Sequence, residues 1–227
     1  NLLEERYKSH TETRELFSVS SQHYAFVVNA FVSLLKRADM TRYELFLRET
    51  RTYEIIEDVK NFRSEIGVLF LNSYNRDVLT KMFDDNRLTY TSLFKARPHI
   101  FVSKSNPLAK HEVVSLEDLE DFPYLSYDQG IHNSFYYSEE ILSQIPHKKS
   151  IVVSDRATLF NLLIGLDGYT IATGILNSNL NGDNIVSIPL DIDDEIDIVY
   201  LKHEKATLSK MGEKFLDNLV KEVTFDN

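Results

Sequence analysis

Strand-like and helix-like segments alternate along this chain from Arg14 onward, and that alternation limits the folds that the chain can adopt. RELFSVS is typical of a strand, and HYAFVVNAFVSLLKRA has the apolar spacing of a helix. EIGVLFLN is almost entirely apolar, which is typical of a strand in a parallel sheet covered on both faces. The series predicts an α/β structure whose strands are connected by right-handed crossovers. The apolar face of the first helix is predicted to be Phe26, Ala30, Phe31 and Leu34.

A second series of strands and helices follows a change of rhythm after Leu88. Extended segments and a proline loop come first, and Ser115 with Asp118 then has the pattern of a capping box, with Asp in place of the usual Glu. The sequence predicts two α/β units in tandem, with Arg97-Pro98 as the hinge. The predicted elements after the loop are the strand PYLSYD, the helix YYSEEILSQI, the strand KSIVVSD, the helix RATLFNLLIG, the strand YTIATG, two late strands, and a closing helix with Met211, Phe215, Leu216 and Leu219 inward.

Composition narrows the classes of function. The chain has 227 residues and 43% hydrophobic content, enough for one large domain or two small ones. Its net charge of −10 repels phosphate backbones, so we do not expect this stretch to bind nucleic acid by itself. It has no cysteine, which excludes disulfides, thiolate metal sites and a cysteine nucleophile and suits a cytoplasmic protein. The apolar runs are too short to span a bilayer.

The motifs of common enzymes and metal sites are absent from the sequence. It contains no G-x-S-x-G, no Walker loop, no G-x-G-x-x-G and no H-E-x-x-H. Its seven histidines show no i, i+3 or i, i+4 pair that a helix could use to hold a metal, and the acidic runs lack the glycine and spacing of an EF-hand. We therefore expect no catalytic residue, no metal and no cofactor.

Polar residues follow several predicted strands at the point where the next helix begins. Open α/β sheets place ligands at this edge, and a helix start favours an anion. If two such units face each other, these residues line one cleft that could hold a small carboxylate or sulfate. For any one of them, an ordinary helix cap is the alternative reading. The candidates are Ser20, Ser21 and Gln22; Ser126, Tyr127, Asp128, His132 and Asn133; and Ser154 and Thr158.

One stretch, HIFVSKSNPLAKHEVVSLEDLEDFPYLSY, resembles the middle of the effector-binding domain of LysR-type transcriptional regulators. Pro107-Leu108-Ala109, Ser115 to Leu119 and Pro123 carry the resemblance. EIGVLFLN is similar to the family's apolar strand after the second helix, and LLIGLDGYTIATGIL is similar to its glycine-containing passage from helix to strand. The resemblance extends from Arg14 to Val223.

The resemblance implies an α/β, two-lobed fold like that of type 2 periplasmic binding proteins, with two crossover segments. Lobe I would comprise residues 14–96 and 192–227, and lobe II residues 97–191. Residues 1–13 would be the end of a linker helix, and a disordered terminus is the alternative. The linker helix would lead to an N-terminal winged helix-turn-helix, and DNA would bind only through that part, which we expect to be missing from this chain.

The resemblance also implies partners. Effector domains of this family pair side by side, so we expect a homodimer in which helix 51–62 of one chain lies near helix 136–145 of the other. Full-length members are usually tetramers, and the regulator would act in the cytoplasm without contacting a membrane.

SVSSQHYAF is similar to the first-lobe site of the branch that controls cysteine and methionine supply in bacteria. That similarity implies that Ser20, Ser21 and Gln22 bind sulfate or an O-acetylserine-like precursor of a sulfur amino acid. The corresponding effector-binding residues of lobe II would be Ser126, Tyr127, Ser154, Thr158 and Thr173. The sequence departs from the family at the segment Thr173-Gly174-Ile175-Leu176, where a proline is often found.

The expected function is ligand sensing: an effector between the lobes favours one geometry, and the change reaches the DNA-binding part. The alternative is a solute-binding protein of a transport system, which would share the fold and the cleft. An enzyme on the same scaffold is a further alternative, as is a domain whose cleft stays empty and which only dimerises and contacts polymerase.

Overall fold

Two five-stranded sheets organise the protein, for which a computed structural model describes residues 15–38, 41–176 and 178–224. The strands are β1 (Glu15–Ser21), β2 (Tyr43–Glu49), β3 (Ile66–Leu71), β4 (Leu88–Ala96), β5 (His99–Ser103), β6 (Tyr124–Tyr127), β7 (Ser150–Val153), β8 (Tyr169–Ala172), β9 (Ile185–Pro189) and β10 (Ile196–His203). The helices are α1 (Ala25–Arg37), α2 (Thr52–Lys60), α3 (Arg76–Asp85), α4 (Leu116–Leu119), α5 (Arg156–Leu166), α6 (Ser178–Asn181) and α7 (Lys210–Thr224), with 3-10 turns at Pro107–Lys110 and Phe135–Tyr137.

Both sheets are mixed. In the first sheet the order is β2-β1-β3-β10-β4, with β1 parallel to β2 and β3 and with β10 antiparallel to β3 and β4. In the second sheet the order is β7-β6-β8-β5-β9, with β6 parallel to β7 and β8 and with β5 antiparallel to β8 and β9. The chain therefore crosses between the sheets twice, after β4 and after β9.

The predicted apolar faces form the core of the first sheet. Every residue of β3 is buried, as expected for a strand that is covered on both sides. Gly67 in this strand allows α2 to approach closely, because a Cβ there would lie 2.9 Å from side-chain atoms of both Ile55 and Val59. Helices α1 and α7 pack on the opposite face, where the ring of Phe17 lies 6.2 Å from that of Phe31 and 5.6 Å from that of Phe215.

The largest core cluster contains residues of both sheets. Phe26 and Ile198, which belong to the first sheet and its helix, are in the same cluster as Ile100 and Ile171 of the second sheet. The two sheets thus share buried apolar surface along their contact, and a smaller cluster lies under α5. The predicted lobe boundaries, 14–96 with 192–227 and 97–191, remain a prediction, and the predicted linker segment 1–13 lies outside the described residues.

Most predicted elements are confirmed to within two residues, and the predicted capping box is present. Ser115 Oγ accepts a hydrogen bond from Asp118 N–H, and Asp118 Oδ2 accepts one from Ser115 N–H at 2.8 Å. Both bonds satisfy amide groups that a helix start would otherwise leave unpaired.

The predicted helix 136–145 is wrong. The chain forms a 3-10 turn over Phe135–Tyr137 and then a run of turns. Leu142 has a φ of 60°, a left-handed conformation that interrupts a right-handed helix. The side chains of Glu139 and Glu140 are turned inward, where they accept hydrogen bonds from distant residues. The expected dimer contact between helix 51–62 and helix 136–145 therefore lacks one of its two helices.

Candidate functional site

A cavity of about 50 Å³ lies between the two sheets. Its walls come from the start of α1 on the first sheet, and from β6, the segment around Glu139, α5 and β8 on the second. Most of the lining residues are apolar, and the ionisable side chains of His23, Glu139, Glu140 and Arg156 are among the rest. The apolar lining residues include Phe26, Phe101, Leu159, Phe160, Ile171 and Ile196.

The start of α1 is paired with a carboxylate from the second sheet. Glu139 Oε1 accepts from His23 N–H at 2.8 Å and lies 2.9 Å from His23 Nδ1. Glu139 Oε2 accepts from Gln129 Nε2 at 3.0 Å, and the ring of His23 stacks on that of Tyr127 at 4.0 Å. Burial alone lowers the pKa of His23, but its hydrogen bond to Glu139 and the charge of that carboxylate outweigh burial and raise it. The predicted anion position at this helix start is thus occupied by the chain's own Glu139.

Glu140 also lines the cavity, and only 4% of its surface is exposed. Its Oε1 accepts from Tyr127 N–H at 2.8 Å. Burial raises the pKa of Glu140 to about 8, and the negative charge of Glu139 contributes to the shift. A carboxyl with this pKa holds its proton at neutral pH, so the wall of the cavity carries one neutral acid next to one ion pair.

The predicted residues at the end of β1 are engaged within the first sheet. Ser20 Oγ donates to Asp58 Oδ2 at 2.6 Å, on the side of α2. Ser21 Oγ donates to Gln22 O at 2.7 Å. None of these predicted residues is in the lining of the cavity, so their role in binding an effector remains a prediction.

Gln22 connects β1 to two other elements. Its Nε2 donates to Thr52 Oγ1 at 2.7 Å, and its Oε1 accepts from Tyr24 O–H at 2.7 Å and from Phe70 N–H at 3.1 Å. These bonds use both ends of the amide, and they hold the start of α1 next to α2 and β3.

Of the predicted residues on the second sheet, Tyr127 and Thr173 line the cavity, whereas Ser126, Ser154 and Thr158 do not. Thr158 N–H and O–H both donate to Asp155, which caps α5. This is the ordinary helix cap that was the alternative reading for this position.

The other three candidates that follow β6 are not in the cavity lining either. Asp128 accepts from Arg51 at 2.7 Å, His132 stacks on Tyr53 with ring centroids 3.4 Å apart, and Asn133 is exposed.

Among the described residues, three ion pairs join the first sheet to the second. Besides His23–Glu139, Arg156 Nε at the start of α5 donates to Glu49 Oε1 at 3.0 Å, and Arg51 pairs with Asp128. Both side chains of the Arg156–Glu49 pair are mostly buried, and Arg156 Nη1 also donates to Asn181 at 3.1 Å. These links make the cavity sensitive to how the two sheets are positioned.

Sequence reasoning missed the four ionisable residues that define the site: His23, Glu139, Glu140 and Arg156. The adjacent acids of YYSEEILSQI were a usable signal, since an acid pair within an apolar segment needs buried partners if that segment packs inward. In the part of the chain that the structure describes, no three His, Asp or Glu side chains are grouped as they would be around a metal ion. No helix in that part has the length and apolar character needed to cross a membrane.

Comparison with known proteins gives the family. Residues 20–224 match a family model described as the LysR substrate binding domain. A search of curated protein sequences finds no match.

Several solved structures resemble this one. The reduced form of the OxyR regulatory domain from Pseudomonas aeruginosa is similar with a TM-score of 0.65 at 12% identity, covering 91% of this chain and 98% of that chain. The C-terminal domain of a probable LysR family regulator from Rhodococcus sp. RHA1 has a TM-score of 0.61 at 12% identity, covering 91% and 99%. The effector binding domain of QuiR in complex with shikimate has a TM-score of 0.59 at 15% identity, covering 92% and 97%.

At these identities the structural similarities establish the fold alone. They and the family match confirm the predicted α/β, periplasmic-binding-protein-like type 2 fold with its two crossover segments. The family match covers most of the chain and shows to which family the chain belongs. The chain therefore belongs to the LysR substrate-binding domain family, the effector-binding domains of LysR-type transcriptional regulators.

Proposed function

We propose that this domain senses a small molecule in the cavity between its two sheets and thereby controls DNA binding by another part of a LysR-type regulator. The observation that carries the proposal is the cavity itself, whose lining combines apolar residues from both sheets with a few polar ones. Concave apolar sites with a few convergent polar groups are typical of small-molecule binding, and domain interfaces are a common place for them. The family makes the alternative of a transport protein less favoured, and we propose no catalytic activity.

The proposed mechanism is a shift between two relative positions of the sheets. His23–Glu139, Glu49–Arg156 and Arg51–Asp128 hold the present position, and each pair has one partner on either side. A ligand that binds one position better than another shifts the equilibrium by its difference in affinity, and no further. Such a change in the sheets could be passed on to attached DNA-binding parts.

The predicted effector, an O-acetylserine-like anion, meets an obstacle in this geometry. The amide and ring of His23 at the start of α1 already bind Glu139, so an anion at this helix start would first have to displace that carboxylate. Control of cysteine and methionine metabolism therefore remains a hypothesis that rests on the similarity of SVSSQHYAF alone.

We also propose a homodimer, within a tetramer of the full-length protein, located in the cytoplasm. Support comes from exposed apolar side chains beside α2: Ile131 is 91% exposed and Phe135 is 51% exposed. These residues come just before segment 136–145, which was expected to form one side of the dimer. We propose that this surface forms the dimer contact without a helix.

A substitution that fills the cavity tests the proposed function whatever the ligand is. Ala172→Leu adds side-chain volume to the lining at β8, and Asn161→Leu adds the same side chain at an exposed position of α5. In a thermal-shift screen of metabolites, a ligand that raises the melting temperature saturably in the wild type and in Asn161→Leu should lose its effect in Ala172→Leu. If Ala172→Leu folds and still responds fully, the ligand binds elsewhere and the proposal is wrong.

A further inference from the structure

We propose that the cavity takes a small protonated amine with an apolar body, whose ammonium group is held between Glu139 and Glu140. This inference rests on the proposed function, because it names the class of ligand for the same cavity. It reverses the charge that the sequence predicts for the effector.

The donors named at the start of α1 are already bound. His23 N–H and its ring Nδ1 face Glu139, and Gln129 Nε2 donates to the same carboxylate. The side-chain amide of Gln22 donates to Thr52. An anion at this helix start would have to break one of these bonds and would also lie next to the charge of Glu139.

The cationic side chain in the cavity lining, Arg156, is also engaged. It binds Glu49 and Asn181, which direct its guanidinium toward the first sheet and α6. A carboxylate ligand could compete for Arg156 only by breaking an ion pair that is itself mostly buried. The site thus offers an incoming anion no unengaged positive group among the described residues.

Glu140, which also lines the cavity, has no cationic partner among the described residues; backbone N–H groups of Tyr127, Glu139 and Glu140 bond to its carboxyl, but burial outweighs them and raises its pKa. A buried carboxylate is stable only with an opposite charge or several donors. An ammonium group carries three N–H donors, so it can bond to Glu140 and to the neighbouring Glu139 at the same time. Two adjacent acidic residues in the lining of one largely apolar cavity therefore suit an amine better than an acid.

The remaining lining defines the body of the ligand. Phe101, Leu159, Phe160 and Ile171 provide apolar surface next to the two carboxyls. The volume of about 50 Å³ is smaller than the roughly 150 Å³ cavity that holds a benzene molecule in an engineered protein. A short alkyl amine fits this space, and a larger one requires the sheets to part.

Protons should be released when such an amine binds. Because burial raises the pKa of Glu140 to about 8, the empty site holds that proton at pH 7. Pairing with an ammonium ion favours the charged carboxylate, so close to one proton leaves on binding at pH 7, and fewer leave as the pH rises above 8. The other titratable groups that face this carboxyl are Glu139, Tyr24, Tyr124 and Tyr127, and the three tyrosines have a pKa raised mainly by burial.

The test is calorimetric titration of this chain with amines and acids of the same carbon skeleton. The probes are n-butylamine against butyrate, and benzylamine against benzoate, each at pH 7 in two buffers with different heats of ionisation. The proposal expects saturable binding of at least one amine with proton release and no binding of the matched acid. Glu140→Gln and Glu139→Gln should each weaken the amine by about 10-fold or more, whereas Glu213→Gln at an exposed position should leave its affinity unchanged.

Each contrary result has a distinct meaning. If butyrate or benzoate binds and its amine does not, the amine assignment is overturned while sensing in the cavity stands. If the affinity for the amine is the same in Glu140→Gln as in the wild type, or if no amine binds, the assignment is also overturned. In every case the proposed function is decided separately, by the comparison of Ala172→Leu with Asn161→Leu.

Discussion

The starts of α1 and α5 have the same pattern in the sequence but are satisfied in different ways. In both, polar residues stand between a strand and an apolar helix. At α5 the partner is local: Asp155 accepts from the amide and hydroxyl groups of Thr158, three residues away. At α1 the partner is Glu139, which is 116 residues away in the sequence and lies in the turns between β6 and β7 of the second sheet.

This difference separates a structural role from a functional one. A local cap stabilises its own helix and leaves the rest of the molecule free. A carboxylate that arrives from the other sheet makes the same helix start depend on how the two sheets are positioned. The pairing of His23 with Glu139 is therefore part of the proposed sensing site, whereas the cap of α5 is part of its scaffold.

The largest expected effect comes from removing the distant partner. Glu139→Ala leaves the amide and ring of His23 buried without an acceptor, and breaking a buried pair in this way costs about 3 kcal/mol. The free energy of unfolding, measured by urea denaturation, should fall by that amount relative to the wild type. Glu213→Ala, at an exposed position of α7, is the control and should change it little. A loss below about 1 kcal/mol in Glu139→Ala would mean that water or another acceptor satisfies His23 and that the starts of α1 and α5 are alike.

The segment that pairs with the start of α1 should also affect the pH dependence of stability, because it carries Glu140. The pKa of Glu140 is raised from 4.5 to about 8 in the folded protein, mainly by burial, so the folded state binds a proton that the unfolded state has lost between those values. The free energy of unfolding should therefore fall as pH rises from about 5 to 8, by up to about 1.4 kcal/mol per pH unit. The raised pKa of His23 acts in the same direction, since its contribution is complete below 6.5 and is lost above its folded value.

Glu140→Gln should flatten this decline, because a neutral side chain of the same shape replaces the titrating carboxyl. The measurement is a series of urea denaturation curves from pH 5 to pH 8 for the two proteins. An equally steep decline in the variant would show that other groups cause the pH dependence and would remove Glu140 from the account.

The fold was predictable because its signals are local. The apolar run of β3 and the stripe on α1 depend on neighbours in the sequence, and both elements formed where expected. The exception was segment 136–145. Ile141, Leu142 and Ile145 have helical spacing, but the inward bonds of Glu139 to His23 and of Glu140 to Tyr127 fix another conformation. A contact over such a sequence distance leaves no trace in a local pattern.

The sequence predicted two of the residues that line the cavity but not the chemistry of the cavity, and the effector-binding roles stay predictions. The cavity does lie where the start of α1 faces the second sheet, and Tyr127 and Thr173 line it. The charge of the site could not be predicted from the sequence. The helix start predicts a bound anion, but the sequence does not reveal that Glu139 occupies the anion position. Helix dipoles and caps can be read from a few adjacent residues, whereas an acceptor supplied by the other sheet depends on the whole fold.

The smallest expected effect is at the start of α5. Asp155→Ala removes the acceptor of Thr158 N–H at an exposed helix end, where water can replace it, so the loss of stability should be clearly smaller than in Glu139→Ala. Asp155→Ser retains a capping oxygen and should lie close to the wild type in the same urea denaturation series. The pKa of Asp155 is lowered, chiefly by the hydrogen bond from Thr158 N–H, so its contribution should be present above its ordinary value of 3.8 and lost as pH falls through the lowered one. If Asp155→Ala instead matched the loss seen in Glu139→Ala, the cap of α5 would be as important to the folded state as the contact between the sheets, and the distinction between the two junctions would fail.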